Sequence, residues 1–450
     1  ACRLAARRQR NIEQRRRALR IVIEKLVEIP HPVEHEHVRI LGLNGQVLAH
    51  HRRVNGRDFG FHRYWGQTPF LPKKGSDPFC SIIGHVKILH VETGRHFLGG
   101  PQQVIYLIKA LRERGHDNIL VCPPDSGIDS VARQAEIRVQ NLFCAGDLDL
   151  PFGYRLAQFL KDERPDVVHC HSRRGADVLG GLAAGLADIQ AVVSRRVDNA
   201  EMRLVAGLRY RPFRKVIAIS EAIADVLRDR GIEDTRLEVI RSAVDVDAFS
   251  ATPDCAQVRA EFGLALEHFV IAAAGQLIPR KGHQYLLQAI ADLKDRYPQL
   301  RVVIFGEGYL NNQLRAQASS LGLGNVVQFA GFREDLDASI SCFDLLAHPA
   351  LAEGLGVAAL KAAAAGLPVV GFAAGGVVEA VAHGETGLLV EPEDSDALGT
   401  AIARLVDDPD LAAGLGAAGR ERMQKEFSIA TMADKHVALY EAVLSEQRGT

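Results

Sequence analysis

At 450 residues, with 47% hydrophobic and 24% charged side chains, the chain has the make-up of a globular protein of two or three domains. Its formal net charge of −1 hides an uneven distribution: residues 3–28 carry nine Arg or Lys against three Glu, and the remainder is mildly acidic. The seven cysteines (2, 80, 122, 144, 170, 255 and 342) are scattered and form no C-x-x-C pair, which excludes a disulfide framework or a zinc site. Reduced thiols in a cytoplasmic setting are expected. The front Arg clusters lack a following apolar run, so no signal peptide is expected. The longest apolar stretch, 355–378, contains Lys361, Pro368 and several glycines and reads as core, not as a membrane span.

In chain order, residues 1–84 form a basic N-terminal extension. Residues 3–28 read as a basic helix with Leu19, Val22, Ile23 and Leu26 as a short apolar stripe, its charged face turned to solvent or to an anionic surface. Histidines 31, 35, 37, 50 and 51 follow in a spacing that matches no metal-ligand pattern. Asn44-Gly45 marks a hairpin turn, and residues 63–78 a loop or linker.

From His85 the pattern becomes strand, Gly-rich turn, helix. Residues 86–92 form an apolar strand, the next loop carries Gly99 and Gly100, a helix runs over 104–114, and a strand over 118–122. The cycle continues through the strand that ends in Asp166-Val-Val-His-Cys-His171, a helix near 175–187, and strands at 191–194 and 215–220. Residues 239–249 lead out, with a hinge over 252–267. A second unit opens with the strand at 269–275. It continues through helices at 282–296 and 311–321 and strands at 300–305, 326–330 and 344–348. A strand near 387–390 and closing helices from 394 complete it. Strict alternation predicts doubly wound parallel sheets, so 85–260 and 261–450 are two Rossmann-like α/β domains facing a central cleft at their strand C-termini.

The stretch 347–372 organises the rest. It holds a tight turn (Glu353-Gly-Leu-Gly356), an alanine-rich helix, a Gly366-Leu-Pro368 break and a buried strand. Gly354 and Gly356 leave the helix-start N–H groups open to an anion, which the helix dipole favours. Glu353 beside them suits hydroxyls. That combination describes a nucleotide-sugar site; an ordinary helix packed on a sheet is the alternative. Three Asp-x-Asp triplets (147/149, 245/247, 335/337) read as turn and cap residues.

Six motifs stand in one order: Gly99-Gly100; Asp166-Val-Val-His-Cys-His171; Gly275-Gln-Leu-Ile-Pro-Arg-Lys-Gly282; Gly306-Glu-Gly308; Glu353-Gly-Leu-Gly356; and Gly375-Gly-Val-Val-Glu379 followed by Gly384-Glu-Thr-Gly-Leu-Leu389. Over 85–444 the chain resembles the retaining, group 1 glycosyltransferases of family 4, which have the GT-B fold. The resemblance implies that His171, Glu353 and Lys281 are the catalytic set. His171 would orient the transferred sugar, Glu353 contact it, and Lys281 meet the donor diphosphate as a point charge. Arg280 would share that work. The amides of Gly354, Leu355 and Gly356 would support the departing nucleotide diphosphate. Gly99 and Gly100 would let the backbone approach the donor or acceptor. Phe332 and Arg333 stand where family members hold the base. Glu379 has either a capping or a catalytic role.

Two positions depart from the family pattern. Gln276 stands where the family has Arg, so it donates a hydrogen bond without charge. Lys361 stands where a second glutamate usually grips the ribose, and is instead a donor to ribose or phosphate oxygen. The resemblance implies a metal-independent transferase without cofactor, taking a nucleotide-sugar donor and a glycan or lipid-linked glycan acceptor. It would act in lipopolysaccharide or polysaccharide biosynthesis, in the cytoplasm with peripheral contact at the inner face of the membrane, and would have no nucleic-acid partner. Arg173, Arg174, Arg195 and Arg196 form a basic rim suited to an acidic acceptor, or a solvated surface. An epimerase on the same scaffold and a non-catalytic nucleotide-sugar binder are the rival readings.

Overall fold

A computed structural model describes residues 84–448, apart from 174, 199, 200, 251 and 252. The expected basic helix, histidine run and hairpin of the extension lie outside the described residues, as does Arg174.

Residues 87–239 build a seven-stranded sheet: β1 (Lys87–Val91), β2 (Asp117–Cys122), β3 (Arg138–Asn141), β4 (Val167–Cys170), β5 (Gln190–Arg195), β6 (Lys215–Ala218) and β7 (Leu237–Val239). The spatial order is β3-β2-β1-β4-β5-β6-β7, and every pairing is parallel. Residues 269–390 build a second, six-stranded parallel sheet from β8 (Phe269–Ala274), β9 (Leu300–Phe305), β10 (Val327–Gly331), β11 (Leu345–His348), β12 (Val369–Phe372) and β13 (Gly387–Val390). Its order is β10-β9-β8-β11-β12-β13. The central strands β4, β11 and β12 are buried along their whole length, and β1 at every residue after Lys87, as parallel strands with helices on both faces must be. The expected pair of Rossmann-like domains is therefore present. In each sheet the strand order reverses once, between β1 and β4 and between β8 and β11. Ligands of open α/β sheets bind at such points.

Helix starts follow their capping residues. Asp149 accepts from the Phe152 N–H at 2.9 Å, Ser220 from Ile223 at 3.1 Å, Asp394 from Ala397 at 2.8 Å and Asp408 from Leu411 at 2.9 Å. The last helix, Ile429–Arg448, leaves the second sheet and packs on the first: Met432, Leu439, Tyr440 and Val443 share a core with Val86, Ile88 and Leu107. Where the chain crosses back, the Val244 N–H donates to the Phe427 carbonyl at 2.9 Å, and Val244 bridges Ser428.

The cysteine expectation needs correction. Cys255, at the start of a short helix (Cys255–Glu261) in the predicted hinge, is disulfide-bonded to Cys342, 87 residues on, with their Cα atoms 5.0 Å apart. Cys122 and Cys170 are free thiols, and both are buried, as is Cys144. Scatter along the sequence concealed the pair because the fold, not spacing, brings the hinge helix beside β11. Arg259 from that helix fixes the contact, donating to the Cys342 carbonyl at 2.9 Å and to Asp344 at 2.8 Å.

Candidate functional site

In the second domain the site grows from the ends of β8 and β11. After β8 the chain turns through Gly275–Gly282. Gly282 has φ +67°, and a Cβ there would stand 1.8 Å from the Pro349 carbonyl oxygen, so only glycine lets the two loops touch. That closeness lays the stem of Lys281 against Gly275 and brings its ammonium to the Glu353 carboxylate, an ion pair more than four-fifths buried on both sides. His348, the last residue of β11, is buried with its Nε2 3.6 Å from the same carboxylate. Burial alone would raise the Glu353 carboxyl; His348 and Lys281 outweigh it and hold it at about 2. His283 lies in the same electrostatic neighbourhood. Burial, reinforced by the charges of His348 and Lys281, pushes it down to about 4, so it is neutral at pH 7. The site thus holds the Lys281–Glu353 ion pair and, at His283, a neutral imidazole.

Glu353 opens the turn that starts the alanine helix (Val357–Ala364). Gly356 has φ +84°, and the Gly376 N–H donates to the Glu353 carbonyl at 2.9 Å. A Cβ on Gly376 would meet the Gly354 carbonyl at 2.2 Å. Two separate glycine motifs in the sequence are therefore one interlocked turn. The first N–H groups of the helix have no partner within it, and no side chain caps them.

In the first domain the corresponding point lies at the ends of β1 and β4, where His90 pairs with His169 across the register. His171 follows β4 directly. It is 2% exposed, with its Nε2 2.9 Å from His90 Nδ1 and its Nδ1 without a partner. His169 is a satisfied core residue, hydrogen-bonded to Tyr440 at 2.7 Å and Ser194 at 2.8 Å. Two arginines of the expected rim turn inward, while Arg173 stays partly exposed at 3.7 Å from Glu201. Arg195 is buried and paired with Glu201 at 3.3 Å. Arg196 turns inward, donating to Ser242 at 3.3 Å, and burial pulls its guanidinium down to about 10.

Several of these residues meet between the domains. The position of a Cβ on Gly100 lies 3.7 Å from the Arg196 side chain, and one on Gly354 lies 3.0 Å from the Arg196 carbonyl. One on Gly99 would lie 4.0 Å from Val357 at the start of the alanine helix. Glu379, whose role was open, ties the halves together: it accepts from Arg241 at 3.0 Å and from the Ala222 N–H at 3.2 Å. Leu355 is buried beneath the turn.

Other named residues sit apart from this centre. Gln276 is exposed. Arg280 donates to the Ala352 carbonyl at 3.4 Å and braces the 350s loop from outside. Phe332 is 60% exposed, and Arg333 is held by Asp335 at 2.6 Å and Glu261 at 3.1 Å. Lys361 is paired with Asp337 at 2.6 Å beside a cavity shared by both domains, with Gln103, Tyr106 and Asp245 in its wall. Sequence reasoning missed His348, His283, His90, Asn118 and Asp337. Only His348 carried a signal, as the last residue of an apolar strand five positions before Glu353.

Residues 99–248 match the family model described as Glycosyltransferase Family 4, and residues 256–422 match the one described as Glycosyl transferases group 1. The two matches fall one on each domain. The chain belongs to this glycosyltransferase family. This family member is 38% identical over 194 residues to a GDP-mannose-dependent alpha-(1-6)-phosphatidylinositol monomannoside mannosyltransferase of Mycolicibacterium smegmatis, covering 41% of this chain and 50% of that one. It is 33% identical over 244 residues to a D-inositol 3-phosphate glycosyltransferase of Corynebacterium glutamicum, covering 52% and 58%. The matches thus span about half the length of these curated relatives. Among solved structures, Anabaena HepE in complex with UDP aligns with a TM-score of 0.71 at 24% identity over 79% of this chain and all of that one. A glycosyltransferase from Rickettsia africae aligns at 0.73 and 21%, over 80% and 99%. These likenesses fix the GT-B fold.

Proposed function

We propose that this chain transfers a sugar from a nucleoside-diphosphate donor to a glycan or lipid-linked glycan, with retention at the anomeric carbon and without a metal. The observation that carries this reading is the Lys281–Glu353 pair, set at the open end of the alanine helix where β8 and β11 part. The donor diphosphate would lie on the amides of that helix start. Lys281 and the helix dipole then supply positive charge where it is needed, on the phosphate oxygens as the glycosidic bond breaks. Glu353, ionised at neutral pH, accepts from sugar hydroxyls and fixes the ring. Among the described residues no carboxylate stands free beside it as a nucleophile, so attack by the acceptor on the face the diphosphate leaves accounts for retention. Chain groups contribute by positioning and by charge.

The donor proposed first is GDP-mannose and the acceptor an inositol phosphate or its lipid-linked glycoside, because these are the words in the relatives' names. Lipid-linked acceptors would place the protein at the inner face of a membrane as a peripheral protein; no described helix is long and apolar enough to cross one. Sedimentation with anionic liposomes at low salt tests that placement, and failure to bind removes it. A panel of nucleotide sugars, scored for transfer and for donor loss without acceptor, tests the function. Transfer supports it. Donor conversion without acceptor selects an epimerase. Binding without turnover selects a non-catalytic binder, a reading that the uncharged Gln276 and the Lys361–Asp337 pair favour.

A further inference from the structure

The first domain carries a buried file of polar groups that the proposed chemistry has not used. The Asn118 amide nitrogen donates to the His116 carbonyl at 2.9 Å, which turns its Oδ1 to His90 Nε2, also at 2.9 Å. An amide oxygen only accepts, so His90 Nε2 carries the proton. Burial keeps His90 neutral, with its pKa down to about 4, so its Nδ1 has a bare lone pair. His171 Nε2, 2.9 Å from that lone pair, must therefore be the donor. Burial, with the Arg196 guanidinium nearby, keeps His171 neutral too. Its one remaining nitrogen, Nδ1, is thus an acceptor, and it is buried with no partner.

Five of the six ring nitrogens of His90, His169 and His171 are hydrogen-bonded, so only His171 has a nitrogen left over, in a cluster whose three rings lie close enough to share an ion. A buried acceptor left without a partner beside these completed pairs is a place for a ligand. The neighbour that connects it to the proposed donor site is Arg196, whose charge acts on His171 and whose backbone abuts Gly354.

We infer that Asn118 and His90 are positioning residues that lock His171 in its Nε2-protonated tautomer, so that Nδ1 accepts a hydrogen bond from a hydroxyl of the transferred sugar. The sugar part of this rests on the proposed function; the tautomer does not. A neighbour fixing which imidazole nitrogen is free is a common way of setting a histidine's role.

The test is nitrogen-15 NMR of histidine-labelled protein, with the His171 signals assigned by difference against His171→Ala. Wild-type protein should show a protonated Nε2 and a bare Nδ1 at His171. Asn118→Asp, which keeps an acceptor facing His90, should preserve that signature. Asn118→Leu should split His171 between tautomers and lower kcat on the order of tenfold. A protonated Nδ1 in the wild-type protein overturns the inference, and so does an Asn118→Leu protein with unchanged spectrum and kcat. Should Asn118→Leu fail to fold, the wild-type spectrum still decides. The expected tautomer in a protein that transfers no sugar would instead count against the functional reading alone.

Discussion

Lys281 and Glu353 define the residue scale, because each is placed by the other. Replacing Lys281 with Ala removes the ammonium paired to Glu353, which is also the charge proposed to meet the diphosphate. Turnover should fall by about a hundredfold or more, with the circular dichroism spectrum unchanged; near-normal turnover would exclude Lys281 from the chemistry. Glu353 and His90 respond to acid in different windows. Glu353 has a folded pKa of about 2 against 4.5 in the unfolded chain, so its contribution is whole above pH 4.5 and is lost only as pH falls toward 2. His90, at about 4 when folded against 6.5 unfolded, acts earlier: the unfolded chain takes up its proton first, and stability declines as pH drops from 6.5 to 4. That loss is about 3 kcal/mol for His90 alone. Urea midpoints measured across pH 4–7 should therefore fall on the acid side, and should fall less in His90→Phe. A flat profile would mean the histidine file is open to water.

Elements were more legible than sites. The core strands β1, β2, β8, β9 and β12 were readable because helices cover both faces, which leaves continuous apolar runs between glycine turns. β3 was not, since Arg138-Val-Gln-Asn141 is a half-exposed edge with no such run. The helix Arg203–Tyr210 hid for the opposite reason: it exposes Leu204 and Leu208 while burying only Ala206 and Tyr210, so its periodicity points the wrong way. Glu353, Lys281 and the glycine turns could be read from local pattern. The contacts of Asp337 with Lys361 and of His90 with His171 could not, because 24 and 81 residues separate the partners and only the folded chain joins them. Two predictions belong here. Gly282→Ala should destabilise the protein by about 2 kcal/mol or more, since it combines a left-handed φ with a carbonyl in the way of the new methyl; a smaller shift in the denaturation midpoint would show that the two loops can part. Cys342→Ser should cost roughly 2–4 kcal/mol in oxidising buffer and nothing relative to wild type in reductant. Equal stability in both buffers would show that the thiols stay apart in solution.

At the scale of the whole molecule, few polar contacts among the described residues hold the two domains against each other, and Glu379 makes two of them. Glu379→Ala should favour an opened form, raising the radius of gyration in solution scattering and the KM for donor about fivefold, the equivalent of ~1 kcal/mol. Unchanged scattering and KM would mean that the apolar contacts around Gly354, Ile219 and Ile223 are sufficient.

The crossing of the last helix sets how such opening can proceed. The backbone passes between the halves twice, on the way out beyond Val244 and on the return at Phe427–Ser428, and these two passages are bonded side by side. Two adjacent plies behave like the leather of a book spine. They allow the covers to swing about one line, while any sliding of one cover past the other would stretch both plies at once. The same strip delivers Tyr440 to His169, so trimming the C-terminal tail would loosen the spine and uncouple the histidine file in a single cut.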